Sequence, residues 1–185
     1  MARTGAQLLV AGLEAAGVDV VFGLPGVHNL AAWEALRESP IRLVGVRHEQ
    51  AAVYAADGYA RASGRVGVAL VTTGPGAANT LGATGEAWAS RSPVLVIATD
   101  IPTTLRMRGV HRGVLHECTD QRGMFAPVTK HAFTPQTFVE LATAAFRAPE
   151  VALAAPARPV YLEICLLYTS PSPRDLSTSR MPSSA

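Results

Sequence analysis

Three short stretches combine residue types at spacings that could do chemistry. Arg47-His48-Glu49 follows a β-branched run and opens an alanine-rich segment of helical character. Glu49 therefore falls in the first turn of a helix, where the dipole and free backbone N–H groups favour negative charge. From position alone it is either a helix-capping carboxylate or an acid–base group. Thr72-Thr73-Gly74-Pro75-Gly76-Ala77-Ala78-Asn79 reads as a strand-to-helix turn whose glycines let a ligand approach the backbone. Gly23-Leu24-Pro25-Gly26 reads as a second tight turn after a strand. The longer turn is not a dinucleotide fingerprint: that motif needs glycine or alanine at its sixth position, where Asn79 stands. No ribose-binding acid follows at the end of a strand, so a nicotinamide cofactor is disfavoured.

The elements that would position these residues follow from periodicity. Leu8, Leu9, Leu13 and Ala16 recur at helical spacing from Thr4 to Gly17, and Thr4 with Gln7 reads as a capping box. Glu14 interrupts the apolar stretch, which argues against a signal peptide. Asp19 to Phe22 is a short buried strand, and a helix is expected from about Asn29 to Glu38. Ile41 to Val46, then His48 to Ser63, repeat the strand–helix unit, with Gly64 as its stop. Val66 to Thr72 is a third strand, Ala77 to Ser90 a third helix and Pro93 to Thr99 a fourth strand. Asp100 to Arg122 shows no period and reads as a long loop. A short strand near Pro127 to His131, a helix from about Thr137 to Phe146 and a strand from Pro159 to Ile164 close the pattern.

Apolar strands alternating with helices demand a parallel sheet covered on both faces, because each crossover returns the chain in the same direction. The expected fold is α/β, a doubly wound parallel sheet of about six strands with helices on both faces. In such sheets ligands gather beyond the carboxyl ends of the strands. Gly23 to Gly26, Arg47 to Glu49 and Thr72 to Gly76 all end there.

Composition agrees with one compact domain. Of 185 residues, 49% are hydrophobic and 16% charged, which permits a substantial core. The net charge of +2 is spread without runs, giving no electrostatic case for a nucleic-acid or membrane partner. The longest apolar runs are strand-sized, far below the roughly 20 residues that span a bilayer. Cys118 and Cys165 lie far apart without ligand-spaced partners, so neither a disulfide framework nor a zinc site is indicated, and a reducing, cytoplasmic compartment is expected. His28 and His48 also lack a second ligand at metal spacing; no metal site is assigned. After Cys165 the chain becomes rich in serine and proline without period. Residues 166–185 are read as a disordered tail resembling a translated adapter or vector remnant, and 1–165 as the domain, the front piece of a longer protein.

The three stretches, in their order, carry a resemblance. VFGLPG at Val21 to Gly26, RHEQAAVYAADGYARASG at Arg47 to Gly64 and VTTGPGAANTLGATGEAWASRSPVLVIA at Val71 to Ala98 resemble the N-terminal pyrimidine-binding domain of thiamine-diphosphate enzymes of the acetolactate synthase and pyruvate oxidase type. The likeness runs from about Gly5 to Ile164. It implies that Glu49 is the glutamate that hydrogen-bonds N1′ of the aminopyrimidine and drives the tautomerisation of the cofactor's amino group. It places Pro25 and Gly26 in the wall beside the pyrimidine, and Thr72, Gly74, Pro75 and Asn79 in the second turn around it. For Thr72 and Asn79 the structural alternative is a turn-stabilising hydroxyl and a helix-start amide. Gly58 and Tyr59, in the glutamate helix, are read as packing at a subunit interface.

The resemblance also implies what this stretch does not hold. The family's Gly-Asp-Gly…Asn motif for Mg²⁺ and the diphosphate belongs to a separate C-terminal domain, and Asp57-Gly58, inside a helix, is not that motif. FAD, in this family a matter for a middle domain, is not indicated by any residue here. The cofactor lies between domains of two subunits, which implies a homodimer or homotetramer and a fragment inert alone. Leu115-His116-Glu117 aligns with the phenylalanine-glutamine-glutamate of acetolactate synthases. His116 in place of glutamine could relay protons, given an ordinary pKa of about 6.5, or could simply brace the loop. His111, Arg106, Arg108 and Arg112 are either anion contacts or solvated charges.

The expected function is thus thiamine-diphosphate binding in an enzyme acting on a 2-oxo acid, with acetolactate synthase first and a 2-oxo-acid decarboxylase as the alternative. A non-catalytic dimerisation module of the same fold is a third reading, against which an intact Glu49 argues.

Overall fold

A computed structural model of the chain describes residues 3–102, 105 and 109–165, so the serine- and proline-rich tail lies outside the described residues. Its centre is a six-stranded, all-parallel sheet in the order β2-β1-β3-β4-β6-β5. The chain runs α1 (Gly5–Ala15), β1 (Val20–Gly23), a 3-10 turn (Val27–Asn29), α2 (Leu30–Arg37), β2 (Arg42–Gly45), α3 (Glu49–Ser63) and β3 (Gly67–Val71). It continues through α4 (Pro75–Ala78), α5 (Leu81–Ala89), β4 (Val94–Asp100), α6 (Gln121–Phe125), β5 (His131–Phe133), α7 (Phe138–Leu153) and β6 (Val160–Cys165).

Side-chain alternation along the inner strands explains the two helical layers. Val68, Leu70, Leu95, Ile97, Val160 and Leu162 pack on one face with Leu9 and Leu13 of α1, Leu36 of α2 and Leu141 of α7. Their neighbours Ala69, Val71, Val96, Ala98 and Tyr161 face the other way, onto Val53 and Ala56 of α3, Ala87 of α5 and Phe125 of α6. These strands are thereby buried on both sides, each large aliphatic side chain contributing about 1.5–3 kcal/mol. Small residues on α3 and α5 let those helices lie close to the sheet: a Cβ on Gly67 of β3 would collide with the backbone of Ala56.

The expected doubly wound α/β fold is borne out, and so is the capping box of α1. Thr4 Oγ1 accepts the Gln7 N–H at 3.2 Å, and Gln7 Oε1 accepts the Thr4 N–H at 2.9 Å. Several boundaries differ. The helix expected from Ala77 to Ser90 is two pieces, α4 and α5, parted at Asn79-Thr80, where Thr80 Oγ1 donates to the Ala77 carbonyl at 2.6 Å. The strand expected near Pro127 to His131 lies later, at His131–Phe133, because Ala126–Val128 form a 3-10 turn around Pro127, which has no N–H for a ladder. The segment from Asp100 to Arg122 is not wholly irregular, since Asp100 ends β4 and α6 begins at Gln121. The helix expected to stop near Phe146 runs on to Leu153 with Pro149 inside it. No helix among the described residues is long and apolar enough to cross a membrane.

Strand order sets where a crevice must open. From β1 the chain steps outward to β2, then back across β1 to β3, so connections leave β1 and β3 in opposite directions. That reversal lies between them, and the carboxyl ends of β1 and β3 are the two turns singled out by composition.

Candidate active site at the carboxyl rim of the sheet

Glu49 opens α3, immediately beyond β2. His48 caps that helix: its Nδ1 accepts the Gln50 N–H at 3.2 Å, which places the proton of the neutral ring on Nε2. The Glu49 carboxylate is half-buried and turns toward the β3 turn, where Asn79 Nδ2 donates to its Oε2 at 3.0 Å. Among the described residues its Oε1 has no hydrogen-bond partner. A Cβ built on Gly76 would stand 3.5 Å from that oxygen, so glycine leaves open the space the carboxylate faces.

Thr72 stands between the two turns. A Cβ on Gly26 would come to 2.6 Å from Thr72 Cβ, and one on Gly76 to 2.6 Å from Thr72 Cγ2. Glycine on both sides is what allows the β1 and β3 turns to close on a threonine. Thr72 Oγ1 is buried and without a partner, so it is not the turn-stabilising hydroxyl that was one expectation for it. Asn79 likewise is not a helix-start cap: it closes α4, Thr80 stands at the start of α5, and its Nδ2 donates to Glu49. Pro25 and Pro75 are exposed on the two turns, while Gly74 is buried with φ +60° and ψ −109°, a backbone that L side chains avoid. The His116 carbonyl occupies the place of its missing Cβ.

Two buried amides hold these turns, and neither was singled out from sequence. Asn29 pins the first: its Oδ1 accepts the Gly26 N–H at 2.8 Å and its Nδ2 donates to the Leu24 carbonyl at 3.1 Å. Gln121 pins the second: its Oε1 accepts the Gly74 N–H at 2.5 Å, and its Nε2 donates to the Thr99 carbonyl and Tyr161 Oη, each at 2.9 Å, and to Glu163 Oε2 at 3.2 Å. Tyr161 also donates to Glu163 at 3.0 Å and stacks on Phe125. Burial first, then the Glu163 charge, hold the Tyr161 hydroxyl well above its ordinary pKa, so it stays a donor.

The loop before α6 is organised by Glu117, whose Oε2 accepts the N–H groups of Arg112, Gly113 and Val114 at 3.0, 2.8 and 3.2 Å. This wrap sets His116, with φ +65°, over Gly74. The His116 ring meets His28 edge-on, centroids 5.6 Å apart. His111 lies on the solvent side of Glu117, 4.0 Å away, and Arg112 is exposed. Arg106 and Arg108 are outside the described residues. No described cluster of histidine, cysteine and acidic side chains could hold a metal ion, and Asp57 is paired with Arg61 through two hydrogen bonds of 2.9 and 2.8 Å. Within α3, Gly58 is exposed with open space, and Tyr59 donates to Asp19 Oδ1 at 2.6 Å inside the chain.

Glu49, the two proline-bearing turns, Thr72 and Asn79 thus meet at one rim, with His116 above them. Residues 3–124 match the thiamine pyrophosphate enzyme family through its N-terminal TPP binding domain, and the chain belongs to that family. It is similar to a probable 2-ketoarginine decarboxylase of Pseudomonas aeruginosa, 43% identical over 180 residues, covering 95% of this chain and 31% of the relative. It is also similar to a probable acetolactate synthase large subunit of Methanocaldococcus jannaschii, 39% identical over 163 residues, covering 86% of this chain and 26% of the relative. An acetolactate synthase of Mycobacterium avium is 41% identical over 131 residues, covering 70% of this chain and 20% of the relative. The chain therefore spans less than a third of the length of these relatives.

Proposed function

We propose that this chain is the pyrimidine-binding part of a thiamine-diphosphate-dependent enzyme acting on a 2-oxo acid, and that Glu49 is its acid–base carboxylate. One observation carries the reading: Glu49 keeps one oxygen tied to Asn79 and the other facing the space left by Gly76. The orphaned Thr72 Oγ1, in a cradle that only glycines leave open, fits a ligand that supplies its missing partner. Pro25, Gly26, Thr72, Gly74, Pro75 and Asn79 would hold the pyrimidine, with Asn79 orienting Glu49 so that Oε1 shares a proton with a ring nitrogen.

When bound, thiamine diphosphate supplies an electron sink for loss of carbon dioxide from a 2-oxo acid. What the chain contributes is a fixed carboxylate in a partly desolvated crevice, where a proton shared with a heterocycle is held more strongly than in water. No described residues fit Mg²⁺, and no step here uses it. The chain supplies one half of a composite site shared between subunits, and alone it has no turnover.

An acetolactate-forming reaction is the leading assignment, in keeping with the acetolactate synthases among the relatives. A second reading, a 2-oxo-acid decarboxylase, is favoured by His116, which offers a titratable ring over the Gly74 turn, and by the decarboxylase name of the Pseudomonas relative. The test is Glu49→Gln in a full-length enzyme carrying this chain. Calorimetry should show thiamine diphosphate still bound with Mg²⁺ present, while turnover of pyruvate falls by about 10²–10⁴-fold. Unchanged turnover would remove Glu49 from the chemistry. Product analysis of the parent enzyme, acetolactate against aldehyde, separates the two assignments.

A further inference from the structure

Gln121 is a polar side chain enclosed at 1% exposure, and the function above gives it no task. Asp120 starts the helix that carries it: Asp120 Oδ1 accepts the Gly123 N–H at 2.7 Å, and α6 packs against both α4 and β6. A buried amide in this place has one workable orientation. Around Nε2 stand the Thr99 carbonyl, the Glu163 carboxylate and Tyr161 Oη, and the tyrosine gives its own proton to Glu163, so all three offer lone pairs. Turning the amide over would set its oxygen against those oxygens and its NH₂ against the Gly74 N–H, leaving every buried group without a complement. Oε1 is therefore held toward Gly74, whose N–H it accepts at 2.5 Å.

From Gly74 a single helical turn leads to the group that touches Glu49. The Gly74 carbonyl accepts the Ala78 N–H and the Pro75 carbonyl accepts the Asn79 N–H, both at 2.9 Å. Asn79 Nδ2 then meets Glu49 Oε2 at 3.0 Å. The strand side of the same turn is fastened separately, Thr73 Oγ1 lying 3.0 Å from Thr99 Oγ1. Loss of the Gln121 amide thus frees the Gly74 end of α4 without detaching β3. Hydrogen bonds weaken steeply as their angle closes, so a small rotation of this four-residue turn is felt at the Asn79 donor.

We propose that Gln121 is a positioning residue for Glu49, acting through Gly74 and the α4 turn on the direction of the Asn79 amide. Its own hydrogen bonds go to Gly74, Thr99, Tyr161 and Glu163, so its influence on Glu49 is indirect. Tyr161 and Glu163 fix the amide, the amide fixes the turn, and the turn aims the donor. That Glu49 does acid–base work rests on the function proposed above; the coupling of Gln121 to Asn79 rests on the hydrogen bonds alone.

The experiment reads the Asn79 side-chain amide of this chain by ¹⁵N–¹H NMR at pH 6. Bonded to a carboxylate, its proton is displaced downfield, and Glu49→Gln calibrates the position it takes when that charge is gone. Gln121→Leu and the near-isosteric Gln121→Met should both bring the resonance most of the way to the calibrated position. Gln121→Glu keeps an oxygen toward Gly74 while sharing a proton with Glu163, and should hold the resonance where the wild type has it. Val10→Ala, in the core layer on the opposite face of the sheet, is the control for lost stability and should leave the resonance in place. In a full-length enzyme carrying this chain, saturated with thiamine diphosphate and Mg²⁺, Gln121→Met should lower kcat for pyruvate by about 10–10²-fold and leave KM unchanged. An Asn79 resonance unmoved by Gln121→Leu and Gln121→Met overturns the inference, as does an equal displacement in Val10→Ala. Failure of Gln121→Glu to hold the resonance overturns the route through Gly74, and a loss confined to KM overturns the positioning of Glu49. The NMR arms need no cofactor. Unchanged turnover in Glu49→Gln would remove the function proposed above and leave the coupling of Gln121 to Asn79 standing.

Discussion

The side-chain amide of Asn79 and the carboxylate of Glu49, 30 positions apart in sequence, meet across 3.0 Å at the junction of α3 with the β3 turn. The amide is neutral, so it orients the acid without neutralising it. Asn79→Asp would set two carboxylates at that distance, and like charges so close cannot ionise independently. Carboxyl ¹³C NMR should show two coupled steps separated by at least about one pH unit. A single unsplit titration would mean the two side chains are not held together.

Gly74→Ala tests the second turn. The added methyl must enter the position of the His116 carbonyl from a φ of +60°. Urea unfolding should show a loss of about 2 kcal/mol or more. Gly58→Ala, exposed with nothing near the new methyl, should be neutral to slightly stabilising.

Gln121→Leu removes the acceptor of the Gly74 N–H and a donor to Glu163 and Tyr161, leaving buried groups unpaired at a cost of about 1–3 kcal/mol each. Gln121→Glu is more diagnostic. It places a second acid against Glu163, raising the folded-state pKa of one of them above the unfolded carboxylate value of about 4.3. The folded state then holds the extra proton, so stability is present at acid pH and lost as pH rises through the raised pKa. Urea midpoints measured from pH 4 to 8 should fall for this variant relative to wild type.

His28 gives the opposite slope. Its folded pKa lies below 6.5, chiefly through burial, so the unfolded chain binds more protons as pH drops under that value. Its contribution is complete above pH 6.5 and is lost on acidification toward the folded pKa. His28→Gln should flatten the stability difference between pH 5 and 7.5, measured by urea unfolding; an unchanged difference would show that His28 titrates normally.

The layered fold was legible because its inner strands are apolar over most of their length while the intervening helices are rich in alanine and leucine. The rim was legible because three turns carry glycine, proline or a first-turn acid at strand ends. The break at Asn79-Thr80 was hidden by good helix formers on both sides, and it depends on one threonine hydroxyl turning back to Ala77. Asn29, whose partners Gly26 and Leu24 lie three and five positions away, could have been read as a turn amide, but Gln121 was missed for a different reason. An amide acquires a role only from partners that folding brings to it, and those of Gln121 lie at Gly74, Thr99, Tyr161 and Glu163, none of which is near it in sequence.

Glu49 hangs from the outermost strand. Among the described residues β2 has a neighbour on one side only, four residue pairs with β1, and Val46 adds one more bond to the Gly23 carbonyl at 2.9 Å. Strands so placed fray before the interior of a sheet does. A local opening there would swing the acid outward while both glycine turns kept their shape. Amide exchange at Val44 and Val46 should accordingly outpace that at Val68 and Leu70, and warming would silence the rim well before the domain melts.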